Sequence, residues 1–142
     1  MDKGVTLFPG VIVTPLNKVH HSKGDIFHVL KRSESSYSDF GEAYFTSVYA
    51  GVTKGWKKHT RMRMNLVVPV GDVTFFIHCE KEGKTESITL GGKHYARLTI
   101  EPGYWVAFRG EEQAINLVLN IASLPHDPLE AESFELNRFP LS

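Results

Sequence analysis

The run Lys54-Gly55-Trp56-Lys57-Lys58-His59-Thr60-Arg61-Met62-Arg63-Met64-Asn65-Leu66 concentrates the groups in this chain best suited to chemistry: one histidine and several fixed cations beside an apolar stretch. Imidazole exchanges protons near neutral pH, and fixed cations meet anions, so the pattern suits proton transfer on an anionic ligand. If the segment is extended, Lys57, His59, Arg61, Arg63 and Asn65 share one face, and Lys58, Met62, Met64 and Leu66 share the other. A solvated edge strand would show the same alternation. The continuation Val67-Val68-Pro69-Val70-Gly71 is too apolar on both faces for an isolated surface strand, which favours a site.

The elements that must position these groups are strands. Runs rich in Val, Ile, Phe, Tyr and Thr recur at Gly10 to Thr14, Asp25 to Leu30, Ala43 to Tyr49, Leu66 to Val70, Val73 to Cys79, Glu86 to Leu90, Tyr95 to Ile100, Tyr104 to Phe108 and Ala114 to Ala122. Gly, Pro, Asn and Asp separate most of them, at the spacing of a sandwich or barrel. One short helix is expected over Asp127 to Phe134, with Asp127 as cap and Pro128 at its first position. Ser33 to Asp39, with four serines in seven residues, reads as a loop.

Bulk properties narrow the classes. The 142 residues, 42% of them hydrophobic, form a single domain spanning 1–142. Sixteen basic residues balance sixteen acidic ones, so no global field recruits nucleic acid or an anionic membrane, and any anion binding is local. The lone Cys79 excludes an internal disulfide, and the opening Met1-Asp2-Lys3-Gly4 leads into no signal-peptide core, which together point to the cytoplasm. No apolar run reaches membrane-spanning length.

Pro69-Val70-Gly71-Asp72-Val73, then a strand, then Lys81 to Thr85 and Ile100-Glu101-Pro102-Gly103-Tyr104-Trp105 read as the glycine-punctuated turns of a double-stranded β-helix, the cupin or jelly-roll barrel, whose mouth binds ligands. With Gly10-Val11-Ile12, Lys23-Gly24-Asp25, Phe40 to Phe45, Lys54 to His59, Asn65 to Gly71 and Ile121 to Pro128 in order, nearly the whole chain resembles the dTDP-4-dehydrorhamnose 3,5-epimerase-like, or RmlC-like, cupins, specifically their short members. The resemblance implies an all-β, single-domain cupin and, as partner, a nucleotide-linked 4-keto-6-deoxy sugar used in surface polysaccharide synthesis. It implies no cofactor and a homodimer, in which the run Val5 to Thr14 supplies an added strand.

In that family a histidine base, oriented by an aspartate and opposed by a tyrosine acid, removes a proton beside the 4-keto group. In the motif basic-Gly-Leu-His this chain has Lys54, Gly55, Trp56 and Lys57, with His59 two residues further on. Where a later histidine follows Pro-x-Gly, this chain runs Pro102, Gly103 and then Val106-Ala107-Phe108. The tyrosine position falls near Leu119, and the chain ends at Ser142, before the segment expected to carry the orienting aspartate. In the sister 3,4-ketoisomerases, with a Gly-His-His-Ala-His-like phrase, His59 matches the last histidine and Lys57 the one preceding it. The resemblance therefore offers His59 as base with Lys57 or His126 as second proton carrier. Lys23, in the place of a phosphate-contacting arginine, joins Lys54, Arg61 and Arg63 as phosphate-holding groups.

Trp105, following Pro102-Gly103 near the expected mouth, could stack on a base or sugar ring. Asn65 shares the His59 face. Asn116 and Asn120 lie on one face of an apolar strand, where buried amides need a ligand or one another. A cupin metal shell needs two histidines spaced by one residue and a following glutamate, and Lys57 replaces the first of these, so no metal is expected. Loss of the dyad would instead leave a cupin that binds a sugar or sugar nucleotide without turning it over.

Overall fold

The computed structural model describes residues 4–142; Met1 to Lys3, the first residues of the opening that lacks a signal-peptide core, lie outside the described residues. The strands are β1 (Val5–Phe8), β2 (Val11–Pro15), β3 (Lys18–Val19), β4 (Ile26–Phe27), β5 (Glu42–Ser47), β6 (Thr53–His59), β7 (Met64–Val70), β8 (Asp72–Cys79), β9 (Lys84–Gly91), β10 (Ala96–Ile100), β11 (Trp105–Gly110), β12 (Leu117–Ala122) and β13 (Ala131–Ser133). They build a six-stranded sheet ordered β1-β2-β10-β7-β12-β5, a five-stranded sheet ordered β13-β6-β11-β8-β9 and the hairpin β3-β4. All ladders within the sheets are antiparallel. From β9 to β12 the chain changes sheet at every step, which is the winding of a double-stranded β-helix.

The main core fills the space between the sheets. Val11, Val13, Leu66, Val68, Leu98 and Ile100 face Val73, Phe75, Ile77 and Val106, each 8% exposed or less. Burial of this kind is worth about 1.5–3 kcal/mol per large side chain and fixes the strand phase, because a one-residue slip would expose the whole set. Gly71 makes the sharp passage from β7 to β8 possible: its φ is +83°, and a Cβ there would collide with the Ile115 carbonyl oxygen.

A smaller core lies on the outer face of the five-stranded sheet. Trp56, Phe76, Trp105 and Ala107 are covered there by Phe134, Phe139 and Leu141. A sheet apolar on both faces must be covered on both, and the segment after β13 supplies the second cover.

The expected helix over Asp127 to Phe134 is shorter than the sequence suggests. Asp127 does cap, its carboxylate accepting from the Leu129 N–H at 3.0 Å with Pro128 in the first turn, but only the 3-10 turn Pro128–Glu130 forms. The chain then becomes β13, whose ladder to β6 satisfies its backbone better than another helical turn could. No helix among the described residues is long and apolar enough to cross a membrane.

Candidate active site

The long face inferred from Lys57 to Asn65 does not survive, because the chain turns a corner inside it. β6 ends at His59 in one sheet, and β7 begins at Met64 in the other. Alternation holds as far as His59; after the corner, Met64 and Leu66 face inward and Asn65 faces out. The intervening residues Thr60 to Arg63 carry no strand pairing of their own.

Between the sheets lies a cavity of about 420 Å³. Tyr44 and Thr46 of β5, Lys54, Lys57 and His59 of β6, and Asn120 of β12 give it polar groups, while Leu66, Phe75, Val106 and Val118 form apolar wall. Lys54 would point outward in a regular strand that aims Lys57 inward. A bulge corrects this: Val106 pairs Lys57 but Phe108 pairs Lys54, so Gly55 and Trp56 together oppose Ala107. The Lys54 ammonium donates to the Ser47 carbonyl at 2.8 Å and lies 5.9 Å from the Phe108 ring centre.

His59 is 8% exposed, and its Nδ1 lies 2.7 Å from Oε1 of Glu130. Glu130, 2% exposed, also receives the Arg61 and Met62 backbone N–H groups on Oε2, both at 2.8 Å. Burial pushes the Glu130 carboxyl up, but the Arg61 N–H, the His59 ring and the Met62 N–H together outweigh it and hold the group below its usual range. An ionised carboxylate only accepts, so whenever the His59 ring is neutral Nδ1 carries its proton and Nε2 keeps the lone pair. The corner Thr60 to Met62 wraps the carboxylate, the Thr60 hydroxyl donating to the Glu130 carbonyl at 2.7 Å. Glu130 is the partner that sequence reasoning missed. A carboxylate 71 positions from its histidine leaves no local signature; the only available signal was the Asp127-Pro128 helix start just before it.

Tyr44 was also missed. It lies on β5 directly opposite Asn120 in the ladder, and the Asn120 amide Nδ2 donates to its hydroxyl at 3.0 Å. With the amide so assigned, the Tyr44 proton remains free to donate. Asn120 is 3% exposed, and its Oδ1 has no protein partner among the described residues. Asn116, by contrast, is held structurally: Oδ1 accepts from the Asp72 and Glu112 N–H groups, and Nδ2 donates to the Val48 and Glu112 carbonyls.

The structure thus brings Lys54, Lys57, His59 and Asn120 to one cavity and takes the other sequence-selected residues elsewhere. Arg61 is exposed at the corner, 3.4 Å from the Asp127 carboxylate. Arg63 is occupied by the Ser35 and Ser36 carbonyls and the Glu101 carboxylate. Asn65 faces the outer side of its sheet, donating to the Ser36 carbonyl and accepting from Thr99. Trp105, 1% exposed, belongs to the outer core: its ring stacks on Phe134 at 4.5 Å, and Nε1 donates to Glu80. Lys23 sits in the exposed tip of the β3-β4 hairpin, and His126 is exposed with its N–H on Glu42. None of these six lines the cavity. Of the cations expected around His59, Lys57 shares its cavity while Arg61 and Arg63 turn to other carboxylates, and the group bonded to the ring is itself a carboxylate.

No protein-family profile and no curated protein matches the sequence. Solved structures do. A dTDP sugar isomerase from Desulfovibrio desulfuricans is 29% identical over 94% of this chain and 90% of its own, with a TM-score of 0.88. The Legionella pneumophila epimerase RmlC, in complex with dTDP-4-keto-L-rhamnose, is 14% identical over 100% of this chain and 85% of its own, at a TM-score of 0.83. The 3,4-ketoisomerase QdtA from Thermoanaerobacterium thermosaccharolyticum, in complex with TDP-4-keto-6-deoxyglucose, is 16% identical over 89% of this chain and 88% of its own, at 0.76. Two antiparallel sheets wound as a double-stranded β-helix, superimposing on these proteins over nearly the whole chain, give this chain the RmlC-like cupin fold.

Proposed function

We propose that the protein is an epimerase or isomerase of a nucleotide-linked 4-keto-6-deoxy sugar. The observation that carries the reading is His59 in the wall of a cavity that Tyr44 also lines, with the Glu130 carboxylate bonded to its Nδ1. The likeness to the dTDP sugar isomerase at 29% identity supports the substrate class.

A proton on the carbon beside a ketone is weakly acidic, and its removal needs a base, a stabiliser for the resulting cation and a donor for the enolate oxygen. His59 Nε2 takes the proton, and the C–H electron pair becomes the new C=C bond as negative charge moves to the carbonyl oxygen. Glu130 stabilises the imidazolium through Nδ1–H. Tyr44, steadied by Asn120, donates to the enolate oxygen. Protonation from the opposite face by solvent, with His59 releasing the proton it took, inverts the carbon; protonation of the former carbonyl carbon, with loss of the proton from the C3 hydroxyl, moves the ketone to C3, so one enolisation site serves either outcome. Lys54 and Lys57 meet the diphosphate, where the charge is local as the balanced composition requires.

Incubation with TDP-4-keto-6-deoxyglucose in heavy water tests this. Deuterium is expected at a carbon flanking the ketone, C3 or C5, with the rate lost in His59→Gln. Tight binding without any label in the parent protein would leave the binding-module reading instead. A 3,4-ketoisomerase would convert the 4-ketone to a 3-ketone, whereas an epimerase would keep it at C4. Action in surface polysaccharide synthesis, in the cytoplasm and as a homodimer completes the proposal, the last checked by light scattering at micromolar concentration.

A further inference from the structure

The aromatic segment after β13 packs on the back of the strand that carries His59. β6 aims Lys57 and His59 into the cavity, while Trp56 and Lys58 face the other way. Glu130, the partner of His59, immediately precedes β13, a three-residue edge strand paired only to β6 through Ala131–His59, Glu132–Lys58 and Ser133–Lys57. So short an edge strand holds its place poorly by itself.

Residues 134–141 extend the register of β13 and pin it. Phe134 and Trp56 exchange backbone hydrogen bonds, 3.0 Å from the Phe134 N–H to the Trp56 carbonyl and 3.3 Å in the reverse direction. The Trp56 indole N–H donates to the Leu136 carbonyl at 2.9 Å. Leu136 occupies the space a side chain at position 55 would take, its Cδ1 standing where it would collide with a Cβ on Gly55. Phe139 closes the cluster, stacking on the His78 ring at 4.0 Å and lying edge-on to Trp56 at 5.5 Å. The Pro140 carbonyl accepts from Thr85, which is itself bonded to His78.

From this geometry we infer that the segment Phe134–Leu141 is a positioning element for the site: docked on Trp56, Trp105 and His78, it locks β13 in register and so holds Glu130 against His59. Trp56 and Phe139 touch nothing in the cavity and act through Glu130. Loosening the segment lets β13 fray from its free end toward Glu130, and the carboxylate drifts from Nδ1.

The test uses full-length Phe139→Ala and Trp56→Phe. Phe139→Ala removes the stacked ring, and Trp56→Phe removes the indole bond to Leu136 while keeping an aromatic side chain. Both are expected to speed amide exchange at Arg61 and Met62, whose N–H groups bond Glu130, and to erase the downfield Nδ1 proton of His59 in NMR spectra. In the heavy-water assay kcat should fall about ten- to a hundredfold, the scale of a displaced catalytic group, with KM within about twofold of the parent. Phe139→Leu should recover most of the loss. The kinetic arm rests on the enolisation reading, and the NMR arm does not, so failure of that reading leaves the positioning role testable. If both variants lower the melting temperature but leave the Arg61 and Met62 amides protected and the Nδ1 proton in place, the segment is a cover only and the inference is wrong.

Discussion

Replacing Glu130 by glutamine probes the site at its most constrained point, because shape is kept while charge and hydrogen-bond direction change. Oε2 accepts two backbone N–H groups and Oε1 accepts one ring N–H, so the buried carboxylate takes three hydrogen bonds as an acceptor only. A glutamine has one carbonyl oxygen, and the two N–H groups on the Oε2 side claim it. Its amide nitrogen then faces Nδ1 of His59, where donor would meet donor unless the ring shifts its proton to Nε2. That shift withdraws the lone pair from the cavity. In a serine protease the equivalent loss of tautomer control costs about 10⁴ in rate; here about 10² to 10⁴ is expected, or roughly 3–5 kcal/mol of barrier. Stability should fall by roughly 3 kcal/mol as three charge-assisted bonds become neutral or are lost.

Glu130 titrates below its ordinary value of 4.5 in the folded state. It therefore binds fewer protons folded than unfolded near that pH, and its contribution to stability is present above the unfolded value and lost as pH falls through the folded one. Glu130→Gln should accordingly flatten the acid limb of the stability profile. Deuterium incorporation gives the rate, ¹⁵N shifts of the His59 ring give the tautomer, and urea midpoints across pH give the stability. A variant that exchanges within about threefold of the parent, or one that is slow while Nδ1 still carries the proton, would refute the role assigned to the carboxylate.

Tyr44→Phe removes the hydroxyl that accepts from Asn120, and should lower kcat by about 10² to 10⁴ with little change in folding, read by the same exchange assay and by circular dichroism. Lys57, which makes no ion pair among the described residues, should act on binding: Lys57→Ala is expected to raise KM about tenfold with kcat nearly kept, and the difference should shrink at high salt. Arg63→Ala should leave KM unchanged and lower the melting temperature, since its guanidinium ties the loop at Ser35 and Ser36 to Glu101 and does not reach the cavity. Prolonged dialysis against a chelator should leave activity unchanged, because Lys57 stands where a metal-binding cupin would place a histidine, and restoration of lost activity by one added divalent cation would contradict this.

The barrel was legible because the signals that specify it are local. Apolar runs of strand length, the positive-φ turn at Gly71 and the Pro102-Gly103 turn lie within a few residues of the strands they join, and their order suffices to wind the chain. Where a local signal competed with a ladder, it yielded: Asp127 and Pro128 started a helix as their chemistry dictates, yet the free edge of β6 drew Ala131–Ser133 into a sheet one turn later.

Asn120 of β12 was legible as a buried amide and does line the cavity, but the face carrying His59 was legible only as far as its own strand extends. Lys57 and His59 were read correctly as neighbours on one face because period two holds within β6, and the same rule failed for Arg61, Arg63 and Asn65 once the chain crossed to the other sheet. Lys54 reached the cavity for a reason alternation forbids, a bulge visible only in its pairing with β11. The resemblance offers no residue of this sequence in the place of the orienting aspartate and puts Trp105 near the mouth, yet a barrel completes its site from residues distant in sequence. Glu130 comes from 71 positions after His59, and Tyr44 meets Asn120 across 76. Tyr44 looked like one more aromatic in an apolar run, since only the ladder between β5 and β12 reveals that it faces inward beside an amide. Long-range pairing, which no local pattern encodes, decides whether a histidine on a strand is a base or a packed ring: His78 also lies in a strand, but it bonds a threonine and stacks on Phe139, whereas His59 has a buried carboxylate on one nitrogen and a cavity beside it.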